Sequence, residues 1–220
     1  MSPERLVTID TKHPRLRTLG VYHRIEIEHP ILVRKTVSQK LTAVAAHLPD
    51  NLQLQVDSGY RSRQTQEKIY QARKTQLGDK KANKLVYNPE KGIPPHSTGG
   101  AIDVTLTDSK GKEINLSEPF AKYYEEPTLH SNKISPEAQH LRLLLHTLML
   151  QQEFAPHTAE YWHFSYGDQM WADYYDKTIL YDEIPSEDAQ RYSQAVIFLI
   201  KTCKLIYKAA VKSGLRKINY

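Results

Sequence analysis

The chain has 220 residues, 40% hydrophobic residues and a formal net charge of +5 at pH 7. This length suits one domain with a sizeable core, and no apolar run reaches the roughly 18 residues of a membrane-spanning helix. The N-terminal stretch MSPERLVTID lacks the apolar segment of a secretory signal. Cys203 is the only cysteine, which excludes an internal disulfide and favours a reducing compartment, so we expect a cytoplasmic protein.

The positive charge does not follow a nucleic-acid-binding pattern. Lysines are spread over several segments with Asp and Glu between them, and neither RRM-like aromatics nor a zinc finger is present. The cluster of Lys80, Lys81 and Lys84 is typical of a solvated helix face or loop. We therefore expect no nucleic-acid partner.

The first half of the chain alternates strand and helix patterns. Residues 21–27 alternate well enough to predict a half-buried strand. Apolar residues then recur on one helical face over 37–48, and Leu52, Leu54 and Val56 alternate with glutamines as in a strand. A second helix is predicted over 63–76.

Gly59-Tyr60-Arg61 is predicted to form the corner between that strand and the second helix. A guanidinium at such a corner offers several fixed hydrogen bonds to an oxyanion. A lone arginine also suits a surface ion pair, and the residues alone leave both interpretations open.

The stretch Pro94–Val104, PPHSTGGAIDV, carries His96 and Asp103 on either side of a glycine pair. Residues at this separation point to opposite faces of a plain strand, but paired glycines permit a turn and a close backbone approach. We predict that His96 lies on a turn and that Asp103 lies near the start of a buried strand over 101–106.

A hairpin turn over 107–112 and a long irregular loop over 113–132 should follow. Loops of this length in compact domains are often lids or binding loops. Tyr123 and Tyr124 either line a substrate pocket or cover the core.

Ser135 followed by Pro136 predicts a helix start. Four leucines at helical spacing then indicate core packing as far as Glu153-Phe154. The last motif, Glu160-Tyr161-Trp162-His163, is predicted to lie on a strand. Glu160 and His163 would diverge on a regular strand, so we predict a bend or bulge near Tyr161.

His96, Asp103 and His163 supply two imidazoles and a carboxylate, and Glu160 supplies a further carboxylate. Three ligands with a free base are typical of a catalytic zinc site, in which the fourth position stays open for water. Each piece alone also suits an ordinary loop histidine or a surface Glu–His pair, and the HExxH helix of many zinc peptidases is absent.

Taken together, PHSTGGAIDVTL, EYWHFSYGD and the upstream SGYRS resemble the zinc D,D-peptidases, which include D-alanyl-D-alanine dipeptidases of the vancomycin-resistance (VanX) type and related D,D-carboxypeptidases. The resemblance covers roughly residues 52–171, in the family's order and approximate spacing. It implies that His96, Asp103 and His163 bind one zinc ion. It further implies that Glu160 is the general base and that Arg61 stabilises the oxyanion.

Two positions depart from the family pattern. Pro94 stands where the family usually has a serine that helps to hold the substrate. Ala121, after Phe120, stands where dipeptidases tend to have an acidic residue that meets the substrate's free amino group. Three acidic residues nearby are candidate substitutes: Glu118, Glu125 and Glu126.

The resemblance implies zinc-dependent hydrolysis of D-alanyl-D-alanine to two D-alanines. The alternative is a D,D-carboxypeptidase that removes the terminal D-Ala of a peptidoglycan stem peptide, which Ala121 allows. A non-catalytic peptide-binding module that kept the fold is a third hypothesis, and it is disfavoured because all five site positions hold competent residues.

The predicted architecture is α+β, with a small central antiparallel sheet carrying the zinc site and helices packed against it. We predict a zinc D,D-peptidase domain over 1–185 and a C-terminal helical extension over 186–220. Four lysines recur along one face of this helix: Lys201, Lys204, Lys208 and Lys212. Contact with an anionic membrane surface is one interpretation, and packing on the domain with a solvated lysine face is the one we favour.

Overall fold

The structure is a computed structural model that describes residues 4–18, 30–121 and 123–185. The strand predicted over 21–27 and the C-terminal helix predicted over 186–220 lie outside the described residues. The predicted domain division therefore stays a prediction. No helix within the described ranges is long and apolar enough to cross a bilayer.

In the part of the chain that the structure describes, seven strands form two sheets. A five-stranded sheet has the order β2-β4-β5-β7-β6, and β1 and β3 form a separate antiparallel pair. The strands are β1 Leu6–Thr8, β2 Leu16–Thr18, β3 Leu32–Arg34, β4 Leu52–Ser58, β5 Ala101–Asp108, β6 Ala155–His157 and β7 Glu160–Ser165.

The prediction of a small antiparallel sheet was wrong in one respect. The edge strand β2 runs parallel to β4, so the sheet is mixed, while the pairs β4–β5, β5–β7 and β6–β7 are antiparallel. Parallel neighbours need a crossover connection, and the helix α1, Lys35–Ala46, lies in the segment between β2 and β4. The three-residue strand β2 is too short to show an alternation in the sequence.

Four further α-helices lie within the described ranges: α2 Arg63–Leu77, α3 Asp79–Leu85, α4 Pro136–Gln151 and α5 Gln169–Tyr175. The predicted start of α4 is confirmed, because the Ser135 side chain accepts a hydrogen bond from the Ala138 N–H and Pro136 occupies the first turn. Ser62 caps α2 in the same way, through the Thr65 N–H. The predicted extents of α1, α2 and α4 agree with the structure to within a few residues, whereas α3 and α5 were not predicted.

One face of the sheet is apolar and the other is polar. Leu54 and Leu106 are opposite each other on β4 and β5 and are fully buried in a core that includes residues of α1 and α4. Burial of each leucine contributes about 1.5–3 kcal/mol. Because successive side chains alternate, Gln55 and Thr105 point to the other face. This polar face carries the candidate site.

Candidate active site

Asp103 and His163 are brought together by direct strand pairing. They are register partners on the antiparallel strands β5 and β7, so their side chains project from the same face of the sheet. The flanking pair, Ile102 and Phe164, points the other way and is fully buried. Asp103 Oδ1 lies 3.1 Å from His163 Nδ1.

His96 lies on a short 3-10 turn, Pro95–Thr98, immediately before β5, as predicted. The turn ends at Gly99 with φ +75°, a left-handed conformation that favours glycine. His96 Nε2 lies 3.4 Å from Asp103 Oδ1. His96 Nδ1 lies 2.8 Å from the Gly59 carbonyl oxygen. A carbonyl only accepts, so Nδ1 carries the proton and the Nε2 lone pair faces Asp103.

The corner between β4 and α2 is tied to this turn. The Arg61 N–H donates to the His96 carbonyl at 3.1 Å, in addition to the His96–Gly59 contact. Only glycine fits at Gly59, because a Cβ there would lie 2.5 Å from the Leu32 carbonyl oxygen. The corner and the histidine turn therefore form one unit.

Buried Arg34 supports the turn from behind. Its Nε donates to the Thr98 carbonyl at 2.7 Å, and its backbone N–H donates to the Gly99 carbonyl at 2.9 Å. The same guanidinium donates to the carbonyls of Glu4 and Asp182. The sequence analysis missed this residue, which directly follows the apolar run Ile31-Leu32-Val33.

The three donor side chains fit a divalent metal ion. Their ligand atoms lie within 4.8 Å of one another, and two of the separations are 3.1 and 3.4 Å. Ligand atoms about 2.0–2.1 Å from a tetrahedral ion are about 3.3 Å apart, so these separations match. Three donors leave the fourth position of such an ion open.

The protonation states of two of the three candidate ligands, His96 and Asp103, also suit metal binding. Burial, together with the charge of Arg61, lowers the pKa of His96 to about 4. Burial alone would raise the pKa of Asp103, but the charges of His96 and Arg61 outweigh it and hold that pKa well below its usual range. His96 is therefore neutral and Asp103 ionised at pH 7, as metal binding requires.

Glu160 lines the same cavity as the three donors. Pro156 pairs with Phe164 across β6 and β7, but His157 pairs with Glu160, so Tyr161, Trp162 and His163 form an irregular segment. The predicted bulge near Tyr161 is thus confirmed. Burial raises the pKa of Glu160 to about 7, a value suited to accepting and releasing a proton near neutral pH.

Arg61 lies at the predicted strand-to-helix corner, between β4 and α2. Its Nε donates to Ser58 Oγ at 2.8 Å and one terminal nitrogen donates to Asp103 Oδ2. A register irregularity at Asp57 places Ser58 opposite Asp103, which brings the partners of the guanidinium together. Arg61 thus contacts a candidate metal ligand and lines the cavity.

The cavity has a volume of about 570 Å³, within the range of about 300–1,000 Å³ of small-molecule sites. Of the two sequence interpretations of Tyr123 and Tyr124, pocket lining applies to both, and Tyr123 packs against the core as well. Among the described residues, the acidic lining beyond Asp103 and Glu160 comes from Asp57 and Glu113. The candidate acidic substitutes named from the sequence do not line it: Glu118, Glu125 and Glu126.

The comparison with known families decides the family to which the chain belongs. The D-ala-D-ala dipeptidase family of M15 peptidases matches residues 18–182. The chain belongs to this peptidase family. This match includes all five candidate site residues.

Two curated relatives of this M15 peptidase are D-alanyl-D-alanine dipeptidases. The protein from Synechocystis sp. is 37% identical over 95 residues, which is 38% of this chain and 38% of the relative. The Escherichia coli protein is 36% identical over 69 residues, which is 31% of this chain and 36% of the relative. The chain therefore spans little more than a third of the length of the curated relatives that it matches.

Two solved structures are also similar to the M15 peptidase, each at 21% identity and a TM-score of 0.43. The LD-carboxypeptidase LdcB matches over 81% of this chain and 77% of its own. The vancomycin-resistance D,D-dipeptidase VanXYg, solved with a D-Ala-D-Ala phosphinate analogue, matches over 73% of this chain and 61% of its own.

His157 is a site residue of the peptidase that the sequence analysis missed. It lines the cavity, and its ring lies edge-to-face with that of His163 at 5.7 Å between centroids. Burial, aided by the charge of His163, lowers the pKa of His157 to about 4, so the ring is neutral. Its Nδ1 is buried and has no hydrogen-bond partner among the described residues. The available signal was its position, three residues before Glu160.

Arg142 is a second missed residue, and it organises the loop after β5. It is 1% exposed, and its guanidinium donates to the carbonyls of Leu116, Glu126 and Thr128 at 2.6–2.9 Å. It also lies 3.8 Å from the centre of the Tyr161 ring, next to Glu160. The peptidase thereby fixes the loop that carries Tyr123 and Tyr124 against the strand of Glu160.

Proposed function

We propose that this chain is a zinc-dependent dipeptidase that hydrolyses D-alanyl-D-alanine to two D-alanines. Family membership supports a peptidase of this class. The observation that carries the proposal is the convergence of His96, Asp103 and His163, whose donor atoms lie within 4.8 Å of one another in the cavity that also holds Glu160.

His96 would hold the zinc ion through Nε2, His163 through Nδ1 and Asp103 through Oδ1. Two imidazoles and a carboxylate are a donor set typical of catalytic zinc. When bound, zinc supplies Lewis acidity toward the scissile carbonyl and toward a water molecule. The Gly59 carbonyl accepts from Nδ1 of His96, the ring nitrogen that does not face the metal position, and so keeps this imidazole oriented.

Glu160 is the proposed general base. It takes a proton from the attacking water as the water oxygen bonds to the carbonyl carbon. It then gives this proton to the nitrogen of the departing D-alanine as the C–N bond breaks. A carboxyl group whose pKa lies near 7 performs both transfers at neutral pH.

Arg61 is the proposed oxyanion-stabilising cation. Its side chain is held by Ser58 and Asp103 and lines the cavity beside the metal ligands. A fixed donor of this kind contributes about 10²–10³ in rate. The guanidinium also stays charged at every relevant pH.

A D,D-carboxypeptidase acting on peptidoglycan stem peptides is the second candidate. The observation that favours it is the size of the cavity, since about 570 Å³ is near the middle of the range for drug-sized ligands and exceeds what a dipeptide fills. We place the reaction in the cytoplasm, which the single cysteine supports.

The test compares product release from free D-Ala-D-Ala and from a stem pentapeptide ending in D-Ala-D-Ala, with and without a chelator. We expect cleavage of the dipeptide that the chelator abolishes and added zinc restores. Cleavage of the pentapeptide alone would establish the carboxypeptidase instead. Absence of cleavage of both substrates by the zinc-loaded protein would refute both activities.

A further inference from the structure

A segment near the C-terminal end of the described residues is hydrogen-bonded to the histidine turn. Residues 177–184, which we name the C-terminal strap, follow α5 and form neither helix nor strand. The Tyr181 N–H donates to the Gly167 carbonyl at 2.9 Å, and the Ile184 N–H donates to the Ser97 carbonyl at 2.9 Å. Ser97 directly follows a candidate metal ligand, so the strap contacts the backbone of the metal site.

The strap packs closely against neighbouring elements. Tyr181 and Ile184 are only 8% and 7% exposed. The Tyr181 hydroxyl donates to the Glu4 carboxylate, and its ring lies 5.0 Å from the guanidinium carbon of Arg34. A Cβ at Gly100 would lie 3.2 Å from the same ring. The strap is therefore an ordered part of the structure around the histidine turn.

Glu183 joins the strap to the first turn of α2. Its carboxylate accepts from Arg63 Nε at 2.9 Å and from a terminal nitrogen of Arg63 at 2.7 Å, which is a bidentate pairing. The other terminal nitrogen of Arg63 donates to the Pro89 carbonyl at 2.6 Å, in the loop that leads to the histidine turn. One guanidinium thus connects three segments: the strap, α2 and this loop.

This ion pair differs from an ordinary surface pair on the same helix. Lys74 and Asp79 are joined by one contact of 3.1 Å, lie five positions apart in the sequence and are 45% and 66% exposed. Such pairs contribute little to stability. Arg63 and Glu183 are 43% and 24% exposed, are 120 positions apart and share several hydrogen bonds. The second pair can therefore restrain the relative positions of distant segments, and the first cannot.

The contacts close a ring that includes two candidate site residues. The Arg61 N–H donates to the His96 carbonyl at 3.1 Å, and Arg61 is two residues before the arginine that pairs with the strap. Hydrogen bonds and short lengths of chain connect six residues in this ring: Glu183, Arg63, Arg61, His96, Ser97 and Ile184. A closed ring limits the arrangements that the histidine turn and the strand-to-helix corner can adopt before a ligand binds. Such preorganisation increases affinity.

We propose that Glu183 is a positioning residue for the metal site, which acts through Arg63 to hold His96 and Arg61 in the arrangement that binds zinc. This role rests on the metal site of the proposed function and extends it to the strap. Neither Glu183 nor Arg63 lines the cavity. Glu183 therefore sets the affinity for the metal and makes no contact with the substrate.

The test measures zinc affinity and the metal-free structure separately. Glu183→Gln keeps the size of the side chain and removes its charge. Competition with a chromophoric chelator should show zinc affinity lowered about 3- to 10-fold, less than for a direct partner of a ligand. Hydrogen exchange of the metal-free variant should be faster at the Ile184 and Arg61 amides, because both N–H groups belong to the ring. With zinc at saturation, KM should stay near the wild-type value.

A double-mutant cycle tests whether the effect passes through the ion pair. Arg63→Gln should lower zinc affinity at least as much as Glu183→Gln, since it also loses the Pro89 contact. The double variant should lose no more than Arg63→Gln alone. Losses that add in the double variant would overturn the role of the pair, as would wild-type zinc affinity in Glu183→Gln.

Asp79→Asn provides the matched control, because it breaks the other ion pair of α2. It should change neither zinc affinity nor exchange at the Ile184 and Arg61 amides. An equal loss of zinc affinity in Asp79→Asn and Glu183→Gln would overturn the inference, since any loss of charge on the helix would then have the same effect.

The wild-type protein separates this inference from the proposed reaction. Hydrolysis of D-Ala-D-Ala by the wild type, together with unchanged zinc affinity in Glu183→Gln, overturns the role of Glu183 alone. Zinc binding that depends on Glu183, without hydrolysis of the dipeptide or the pentapeptide, overturns the proposed reaction and keeps the positioning role. Absence of zinc binding by the wild type overturns both.

Discussion

Arg34 and Arg142 both bury a guanidinium against backbone carbonyls, yet they stabilise different halves of the active site. Arg34 joins the histidine turn at Thr98 to segments near the two ends of the described chain, at Glu4 and Asp182. Arg142 joins several carbonyls of one loop, between Leu116 and Thr128. The turn that carries His96 is thus held by hydrogen bonds to residues far away in the chain. The loop that carries Tyr123 and Tyr124 is held by one buried residue, Arg142.

This difference predicts that metal binding and substrate binding can be damaged separately. The candidate metal ligands lie on the sheet and on a turn fixed to it, so their positions do not depend on the loop. Tyr123 and Tyr124 lie on the loop, so the shape of the cavity does depend on it.

The largest effect should come from removing a metal ligand. His163→Ala deletes one of three donors and leaves Asp103 without its strand-pair partner. We expect loss of stoichiometric zinc, measured by metal analysis after dialysis, and activity at background. A variant that retained one zinc per chain would show that His163 is not a ligand.

Glu160→Gln should separate chemistry from metal binding. The amide keeps the size of the side chain and removes the base, so turnover should fall about 10²- to 10⁴-fold while the zinc content stays at one per chain. Rates of D-Ala-D-Ala hydrolysis and metal analysis on the same sample measure both quantities. Turnover within a few-fold of the wild type would refute the assigned role.

The two arginines provide the direct test of the comparison. Arg34→Met removes the support behind the His96 turn and should weaken zinc affinity about 10- to 100-fold, as loss of an outer partner of a ligand typically does. Arg142→Met should leave zinc affinity near the wild-type value and raise KM, because the loop carbonyls lose their donor. Competition with a chromophoric chelator and steady-state kinetics give the two quantities.

Equal losses of zinc affinity in both variants would contradict the separation of the two halves. Both substitutions also leave buried carbonyls unpaired, at about 1–3 kcal/mol each. Affinities should therefore be compared at a temperature at which circular dichroism shows both variants folded.

The smallest expected effect is on the stability of the metal-free protein as a function of pH. Burial raises the pKa of Glu160 from its usual value near 4.5 to about 7, so between these values the folded state binds more protons than the unfolded state. Stability should consequently fall as pH rises through this window. Glu160→Gln should therefore stabilise the metal-free protein against unfolding by on the order of 2 kcal/mol at pH 8. It should not stabilise the protein at pH 4. Thermal unfolding of the metal-free wild type and variant at both pH values tests the sign.

Local patterns in the sequence were sufficient for six of the described elements: α1, β4, α2, β5, α4 and β7. The five candidate site positions came from the resemblance to the zinc D,D-peptidases. Ser135-Pro136 determines a helix start through contacts within one turn, and side-chain parity requires the bulge between Glu160 and His163. The parallel strand β2 could not be predicted, because its three residues take their direction from a crossover far along the chain.

The two structural arginines were missed for a related reason. Arg142 lies at core spacing on α4, with Ala138, Leu145 and Met149, which are all buried. A charged residue at a core position indicates that it has buried hydrogen-bond partners. These partners could not be identified, because they lie in a loop whose sequence shows no periodicity. For the same reason, Arg34 and His157 acquire their roles only from tertiary contacts.

The two contacts between the β4–α2 corner and the His96 turn couple separate binding events. A ligand that orders the turn through His96 also orders Arg61, since the Arg61 N–H is bonded to the His96 carbonyl and the Gly59 carbonyl to the imidazole. By thermodynamic reciprocity, an anion that engages Arg61 must then strengthen metal binding by the same factor by which the metal strengthens anion binding. We therefore expect binding of a metal at His96 and binding of an anion at Arg61 to strengthen one another.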